Sequence, residues 1–74
     1  MTYEQAVKEL YYSVYGTEPT NFHSDLYRLI TKADMGNKIL LRIAYPVEVQ
    51  VWEDWQNAKS PVEFFKKFGL GVRG

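Results

Sequence analysis

One histidine and a few carboxylates are the residues of this sequence best suited to acid–base chemistry. His23 lies two positions before Asp25, and Asp34 follows farther along the same predicted helix. A histidine beside a carboxylate can act as a general acid or base. Residues two apart on a helix, however, point about 200° from each other, so His23 and Asp25 diverge. We therefore interpret His23 as a residue at the edge of the core and predict no catalytic residue.

The other carboxylates give no stronger indication of a reactive or metal-binding site. Glu53 and Asp54 are adjacent, so on a helix they diverge by about 100° and are expected to lie on a solvated face. Residues 34–37 read Asp-Met-Gly-Asn, which lacks the repeated acidic positions of a calcium loop. The sequence has no cysteine and a single histidine, so ligands for a transition metal are almost absent. The predictions are no metal, no cofactor and no enzymatic activity.

The C-terminal segment combines basic and aromatic residues, as proteins that bind single-stranded nucleic acids do. The candidate contacts are the cations of this segment, Lys59, Lys66, Lys67 and Arg73, which alternate with Phe64, Phe65 and Phe68. The favoured interpretation is that the phenylalanines face the core at helical spacing while the lysines face water. Nine basic and nine acidic residues also cancel, which is a poor basis for binding phosphates. A small nucleic-acid-binding regulator is therefore the alternative function.

Residues 22–45 have the outline of a helix-turn-helix, a second way of binding nucleic acid. A recognition helix must present polar side chains to base edges and phosphates. The second helix here offers only Lys38 and Arg42 among aliphatic residues and a tyrosine. We therefore predict that residues 38–45 belong to the core.

Three helices are predicted from explicit start and stop signals. Thr2 and Gln5 have the spacing of a capping box before an apolar stripe over residues 3–15, and Gly16 is placed for a left-handed cap. A second apolar face covers residues 21–34, and a turn is expected at residues 35–37, which include a glycine and an asparagine. Ser60, Pro61 and Glu63 together start a third helix over residues 61–68.

Residues 38–57 are the ambiguous part of the chain. Val47, Val49 and Val51 alternate with polar residues as in a strand, so a hairpin at 38–52 with Tyr45 and Pro46 at its bend stays open. Helix is favoured because proline suits a first helical turn and because a stripe can be drawn through the segment. That stripe consists of Val47, Val51, Trp55 and Ala58. The fold prediction is an all-α, irregular orthogonal bundle of four to five short helices, with α+β as the alternative.

Length and composition predict one domain over residues 1–74, with a loose tail from about residue 70. Aromatic residues make up 16% of the sequence, so a core can form without disulfides. No apolar run approaches the roughly 20 residues that a membrane span needs. The N-terminus is polar and acidic, unlike a signal peptide. We expect a cytoplasmic protein with no membrane partner.

Some aromatic residues lie off the predicted apolar stripes, and these carry the main functional hypothesis. Tyrosine and tryptophan are enriched at interface hot spots, because they bury much area at low entropic cost. The candidate interface residues are Tyr12, Tyr15, Tyr27 and Trp52. They predict a non-enzymatic module that binds another protein or associates with itself, as a dimer or a larger oligomer.

The middle of the chain resembles a family of small uncharacterised proteins encoded in tailed-phage and prophage genomes. The resemblance covers about residues 20–57, and its most specific piece is Lys32-Ala33-Asp34 followed by Asn37. It implies an accessory protein of phage origin that acts on a host or phage protein. It carries no activity and no functional residue. From the residues themselves, we expect Asp34 and Asn37 to cap helix ends.

Overall fold

The computed structural model describes residues 1–16 and 22–71, which form five α-helices and no β-strand. The helices are α1 (Tyr3–Tyr15), α2 (Phe22–Lys32), α3 (Met35–Ala44), α4 (Pro46–Asn57) and α5 (Pro61–Lys66). The prediction of an all-α bundle is confirmed, and the alternative hairpin at 38–52 is wrong. Tyr45 separates α3 from α4, and Pro46 is the first residue of α4, where its missing N–H removes no helical hydrogen bond.

Side-chain caps start three of the helices. Thr2 and Gln5 form the predicted capping box on α1, with both reciprocal hydrogen bonds present. Ser60 accepts a hydrogen bond from the backbone N–H of Glu63 at 3.3 Å and so caps α5. Asp34 accepts one from the backbone N–H of Asn37 at 2.8 Å and caps α3. Such caps satisfy amides that the first turn of a helix leaves without a partner.

The expected turn at residues 35–37 is wrong, because α3 begins at Met35, directly after its cap. Gly36 has an ordinary negative φ, and Asn37 is a helical residue rather than a cap. The aspartate cap lets the chain pass from α2 to α3 in two residues, so no glycine turn is needed. Capping by Asp34 is therefore confirmed, and capping by Asn37 is not.

Gly16 ends α1 by a different device from the one predicted. Its φ of −74° and ψ of 156° are extended rather than left-handed. Its N–H donates to the Tyr12 carbonyl oxygen at 2.7 Å. A Cβ at Gly16 would lie 2.2 Å from that oxygen, so the close approach of the backbone explains the glycine. The left-handed conformation occurs instead at Gly69, with φ of 76°, after α5.

α4 is the central element, because it contacts each of the other four helices. It is therefore buried on several sides, and Val49 is as inaccessible as Val51 although it lies off the predicted stripe. α1, α2 and α5 complete the core around α4. The buried apolar side chains are Ala6, Val7, Leu10, Leu26, Tyr27, Ile30, Val49, Val51, Trp52, Phe64 and Phe65.

The C-terminal segment is attached to the core at residue 70. Leu70 packs against the core cluster, and its N–H donates to the Phe65 carbonyl oxygen at 3.1 Å. The predicted loose tail therefore begins after Leu70 at the earliest. Residues 72–74 lie outside the described residues.

Candidate interaction surface

Exposed apolar side chains cover the outer side of α3. Met35 is 81% exposed, Ile39 57%, Leu40 63% and Ile43 75%. Leu29 of α2, which is 50% exposed, lines the same groove as Leu40. We refer to these five residues, Leu29, Met35, Ile39, Leu40 and Ile43, as the α3 surface.

The expectation that residues 38–45 belong to the core is wrong for α3, because none of its side chains is buried, while Tyr45 packs against the core in part. The helix packs mainly on α4. Leu41 is only partly buried against the core, and the other long aliphatic side chains of α3 face solvent. Apolar composition alone therefore predicted burial for a helix whose apolar side is turned outward.

Polar side chains make much of the contact between α3 and α4. The Lys38 ammonium lies 4.2 Å from the ring centroid of Trp52, a cation–π contact. Arg42 forms an ion pair with Glu53 of α4. Because the two cations are turned towards α4, the opposite side of α3 carries no charged residue.

Two grooves run along the sides of α3. One has a volume of about 390 Å³ and is lined by α2 and α3, with Leu29, Lys32, Asp34 and Leu40 among its residues. The other has a volume of about 340 Å³ and lies between α3 and α4, where Met35 and Ile39 meet the Arg42–Glu53 pair. The α3 surface therefore lies between two grooves, and each groove has charged residues at its edge.

Tyr12 and Tyr15, two of the predicted interface residues, lie at the surface and are about half exposed. Both belong to an aromatic cluster around Tyr11, whose ring centroid is 5.7 Å from that of Tyr12 and 5.1 Å from that of Tyr15. Tyr11, Tyr15 and Val62 line a small groove of about 170 Å³. These tyrosines form a second, smaller exposed region, which belongs to α1 and α5 rather than to α3.

Tyr27, the third predicted interface residue, is a core residue and is only 1% exposed. Its hydroxyl donates to the Ala6 carbonyl oxygen at 2.9 Å, which satisfies the polar end of the side chain. Burial raises the pKa of Tyr27 well above its ordinary value, and the negative charges of Glu48 and Glu9 add to the rise. Its assignment as a surface contact is therefore wrong.

Trp52 is also part of the core rather than the surface. It is 9% exposed, and its indole N–H donates to the Thr31 hydroxyl at 3.1 Å. The sequence placed Trp52 off the apolar stripe of α4, because a stripe assumes that a helix is buried on one side only. α4 is instead covered by other helices on several sides. Of the predicted interface residues, only the two tyrosines of α1 are accessible.

Two of the three phenylalanines of the predicted basic segment are not accessible for stacking with bases. Lys59, Lys66 and Lys67 are exposed, but Phe64 and Phe65 are buried in the core. Lys66 also lies 3.6 Å from the Glu63 carboxylate. The interpretation that the phenylalanines face the core is confirmed for these two. Arg73 lies outside the described residues.

His23 contacts two carboxylates that the sequence did not associate with it. Its Nδ1 is 4.0 Å from Glu9 of α1, and its Nε2 is 3.9 Å from Glu48 of α4. Both contacts come from packing between helices, so no local spacing could reveal them. Within residues 1–16 and 22–71, no three histidine or acidic side chains are grouped so that they could hold a metal ion.

Glu53 and Asp54 point in different directions, as predicted. They do not lie on a purely solvated face, however, because each has a partner on another helix. Glu53 pairs with Arg42, while Asp54 accepts a hydrogen bond from the Tyr3 hydroxyl at 2.5 Å. Burial, this hydrogen bond and the carboxylate charge raise the pKa of Tyr3 to about 12. The two carboxylates therefore connect α4 to two different helices, Glu53 to α3 and Asp54 to α1.

Comparison with known proteins adds no relative: no family model, curated protein or solved structure matches the chain. Among the helices that the structure describes, none is long and apolar enough to cross a membrane.

Proposed function

We propose that the chain is a non-enzymatic helical module that binds a protein through the α3 surface. The observation that carries this proposal is the exposure of five large apolar side chains at adjoining positions. At half to four-fifths exposure, they leave on the order of 500 Å² of apolar surface in water, and a patch of this size is often functional. Tyr27 and Trp52 are buried, so the α3 surface takes their place as the proposed binding surface. Tyr12 and Tyr15 form a separate, smaller candidate surface.

The edge of the α3 surface favours a protein partner over a lipid surface. Lys32 and Asp34 border one groove, and Arg42 and Glu53 border the other. An apolar centre with a rim of both charge signs is the usual composition of a protein interface. A helix that binds a membrane surface instead carries a polar side rich in lysine and arginine.

The proposed setting is the bacterial cytoplasm, with a phage or host protein as the partner. The resemblance of residues 20–57 to small tailed-phage and prophage proteins supports this setting. An accessory protein of that kind needs an exposed contact surface and no active site of its own.

A capture experiment with matched charge variants tests the proposal. The wild-type chain, an Ile39→Glu/Ile43→Glu variant and a Lys66→Glu/Lys67→Glu variant are immobilised and exposed to bacterial lysate. We expect a protein that the wild type and the lysine variant retain and that the isoleucine variant loses. All four substituted positions are exposed, so we expect each variant to fold, and circular dichroism checks this.

Calorimetry with the purified partner then identifies the type of contact. Burial of apolar surface predicts a negative heat-capacity change and little dependence on salt. Binding that survives the isoleucine variant would overturn the proposal. Binding of DNA or RNA that is lost in the lysine variant and weakens steeply with salt would establish the alternative function.

A further inference from the structure

Six of the exposed residues of α3 form two rows at the four-residue spacing of a helix. Met35, Ile39 and Ile43 make one row, and Gly36, Leu40 and Ala44 make the next. All six are exposed, and none is charged. Rows at this spacing are the ridges that interdigitate when two helices pack together.

The sizes of these side chains are complementary in an antiparallel pair. If position 36 of one helix lies opposite position 43 of a second copy, then position 35 lies opposite 44, and 39 opposite 40. Each of the two small residues then meets a large one. A parallel pair would instead place glycine against glycine and would also align the two helix dipoles unfavourably.

Nothing in the described part of the chain requires a glycine at position 36. Its φ is negative, so glycine is not needed for the backbone. A Cβ there would meet only the Asp34 carboxylate, at an ordinary distance of 3.7 Å. Glycine in the middle of a helix costs about 0.5–1 kcal/mol relative to alanine, which is an upper bound for Gly36 in the first turn of α3. Space is thus kept open on the outside of α3, where only another molecule can use it.

The area and charge of the surface also suit a second copy. Two α3 surfaces would together bury on the order of 1,000 Å², the lower limit for a specific interface, which predicts a weak dimer. The formal net charge of the chain is zero, so two copies do not repel each other at long range.

We propose that α3 pairs antiparallel with α3 of a second copy, and that Ile43 of each chain fills the space over the partner's Gly36. The inference rests on the proposed function, because it names the occupant of the same surface. Ile39 and Leu40 lie at the centre of the pair, next to the two-fold axis. The dimer is isologous, so every contact occurs twice.

Sedimentation equilibrium of the full chain tests this pairing from about 10 µM to about 1 mM, the range of weak association. We expect the mean mass to rise from 8.7 kDa towards twice that value. Ile43→Glu should remove the rise, while Val14→Glu, a matched change at an exposed position of α1, should leave it unchanged. Wild type that stays a monomer throughout would overturn self-pairing but would leave capture of another protein through α3 intact.

A size-exchange cycle tests the register. Gly36→Leu keeps or raises the melting temperature of the monomer, since the site is open, but should weaken dimerisation at least tenfold. Ile43→Ala should weaken it as well. In the double variant, leucine at 36 faces alanine at 43 of the second copy, so the double variant should dimerise more tightly than Gly36→Leu alone. Additive losses, or full dimerisation of Gly36→Leu, would overturn the antiparallel register.

Discussion

The hydroxyl of Tyr27 joins α2 to α1 by donating to the carbonyl oxygen of Ala6 at 2.9 Å inside the core. Tyr27→Phe keeps the ring and removes this bond, so we expect the free energy of unfolding to fall by about 1 kcal/mol. Urea denaturation measures the change. Tyr12→Phe is the matched control, because the Tyr12 side chain is half exposed and should leave the urea midpoint unchanged. Equal midpoints for the two variants would contradict the assignment of Tyr27 to the core.

Stability should fall at alkaline pH because of Tyr3 and Tyr27. Burial and the Asp54 carboxylate raise the pKa of Tyr3 from 10.0 to about 12, and burial also raises the pKa of Tyr27. Between pH 10 and 12 the unfolded chain loses these protons while the folded chain keeps them. The native state then binds more protons, so the free energy of unfolding decreases as pH rises. Below pH 10 both states are protonated, and this contribution is constant.

Urea midpoints measured at pH 8, 10, 11 and 12 test the alkaline loss, with tyrosinate absorbance followed in parallel. Tyr3→Phe removes one of the two groups, so its midpoint should decline less steeply above pH 10. Asp54→Asn should lower the pKa of Tyr3 towards its ordinary value. An identical alkaline slope in wild type and Tyr3→Phe would show that Tyr3 does not contribute.

Asp34 and Asn37 form a matched pair for the start of α3. Asp34→Ala removes the side chain that caps the Asn37 amide, so the free energy of unfolding should fall by about 1 kcal/mol. Asn37→Ala changes an exposed helical position and should stay within about 0.5 kcal/mol of wild type. Thermal denaturation distinguishes them. A larger loss of stability for Asn37→Ala than for Asp34→Ala would mean that the Asn37 side chain, rather than its backbone N–H, stabilises the start of α3.

The two tryptophans of α4 should respond differently to replacement by phenylalanine. Trp52→Phe loses the hydrogen bond to Thr31 and weakens the contact with Lys38. The Trp55 N–H is buried and has no hydrogen-bond partner among the described residues, so Trp55→Phe removes an unsatisfied group. We expect Trp52→Phe to be more destabilising by about 1 kcal/mol. Urea titrations of the two variants side by side give this difference.

Local signals predicted the helices well where a cap or a proline marks their start. Thr2 with Gln5, and Ser60 with Pro61, gave the beginnings of α1 and α5 because these bonds link residues close in sequence. The predicted start of α3 is wrong, because Gly36 and Asn37 are typical of a turn, whereas the Asp34 cap places both of them in the helix. When a glycine follows a capping residue, the sequence alone does not show whether the chain forms a turn or starts a helix there.

The contact surface could not be predicted, because burial depends on how many neighbours a helix has. α4 has four, so Trp52 is buried although it lies off any single stripe. α3 packs chiefly on one, so Ile39 and Ile43 remain exposed although the segment is strongly apolar. Composition gives the amount of apolar surface, and only the packing of the helices decides which part of it faces solvent.

Because α3 contributes no fully buried side chain, we expect it to separate from α4 more readily than the other helices separate from the core. Such a local opening exposes little additional apolar surface, so its free energy lies well below that of global unfolding. Amide hydrogens of α3 should therefore exchange with deuterium faster than those of α4. A molecule bound to α3 would slow this exchange, and more so as a larger fraction of the chains is bound. The exchange rate of the α3 amides therefore measures binding directly.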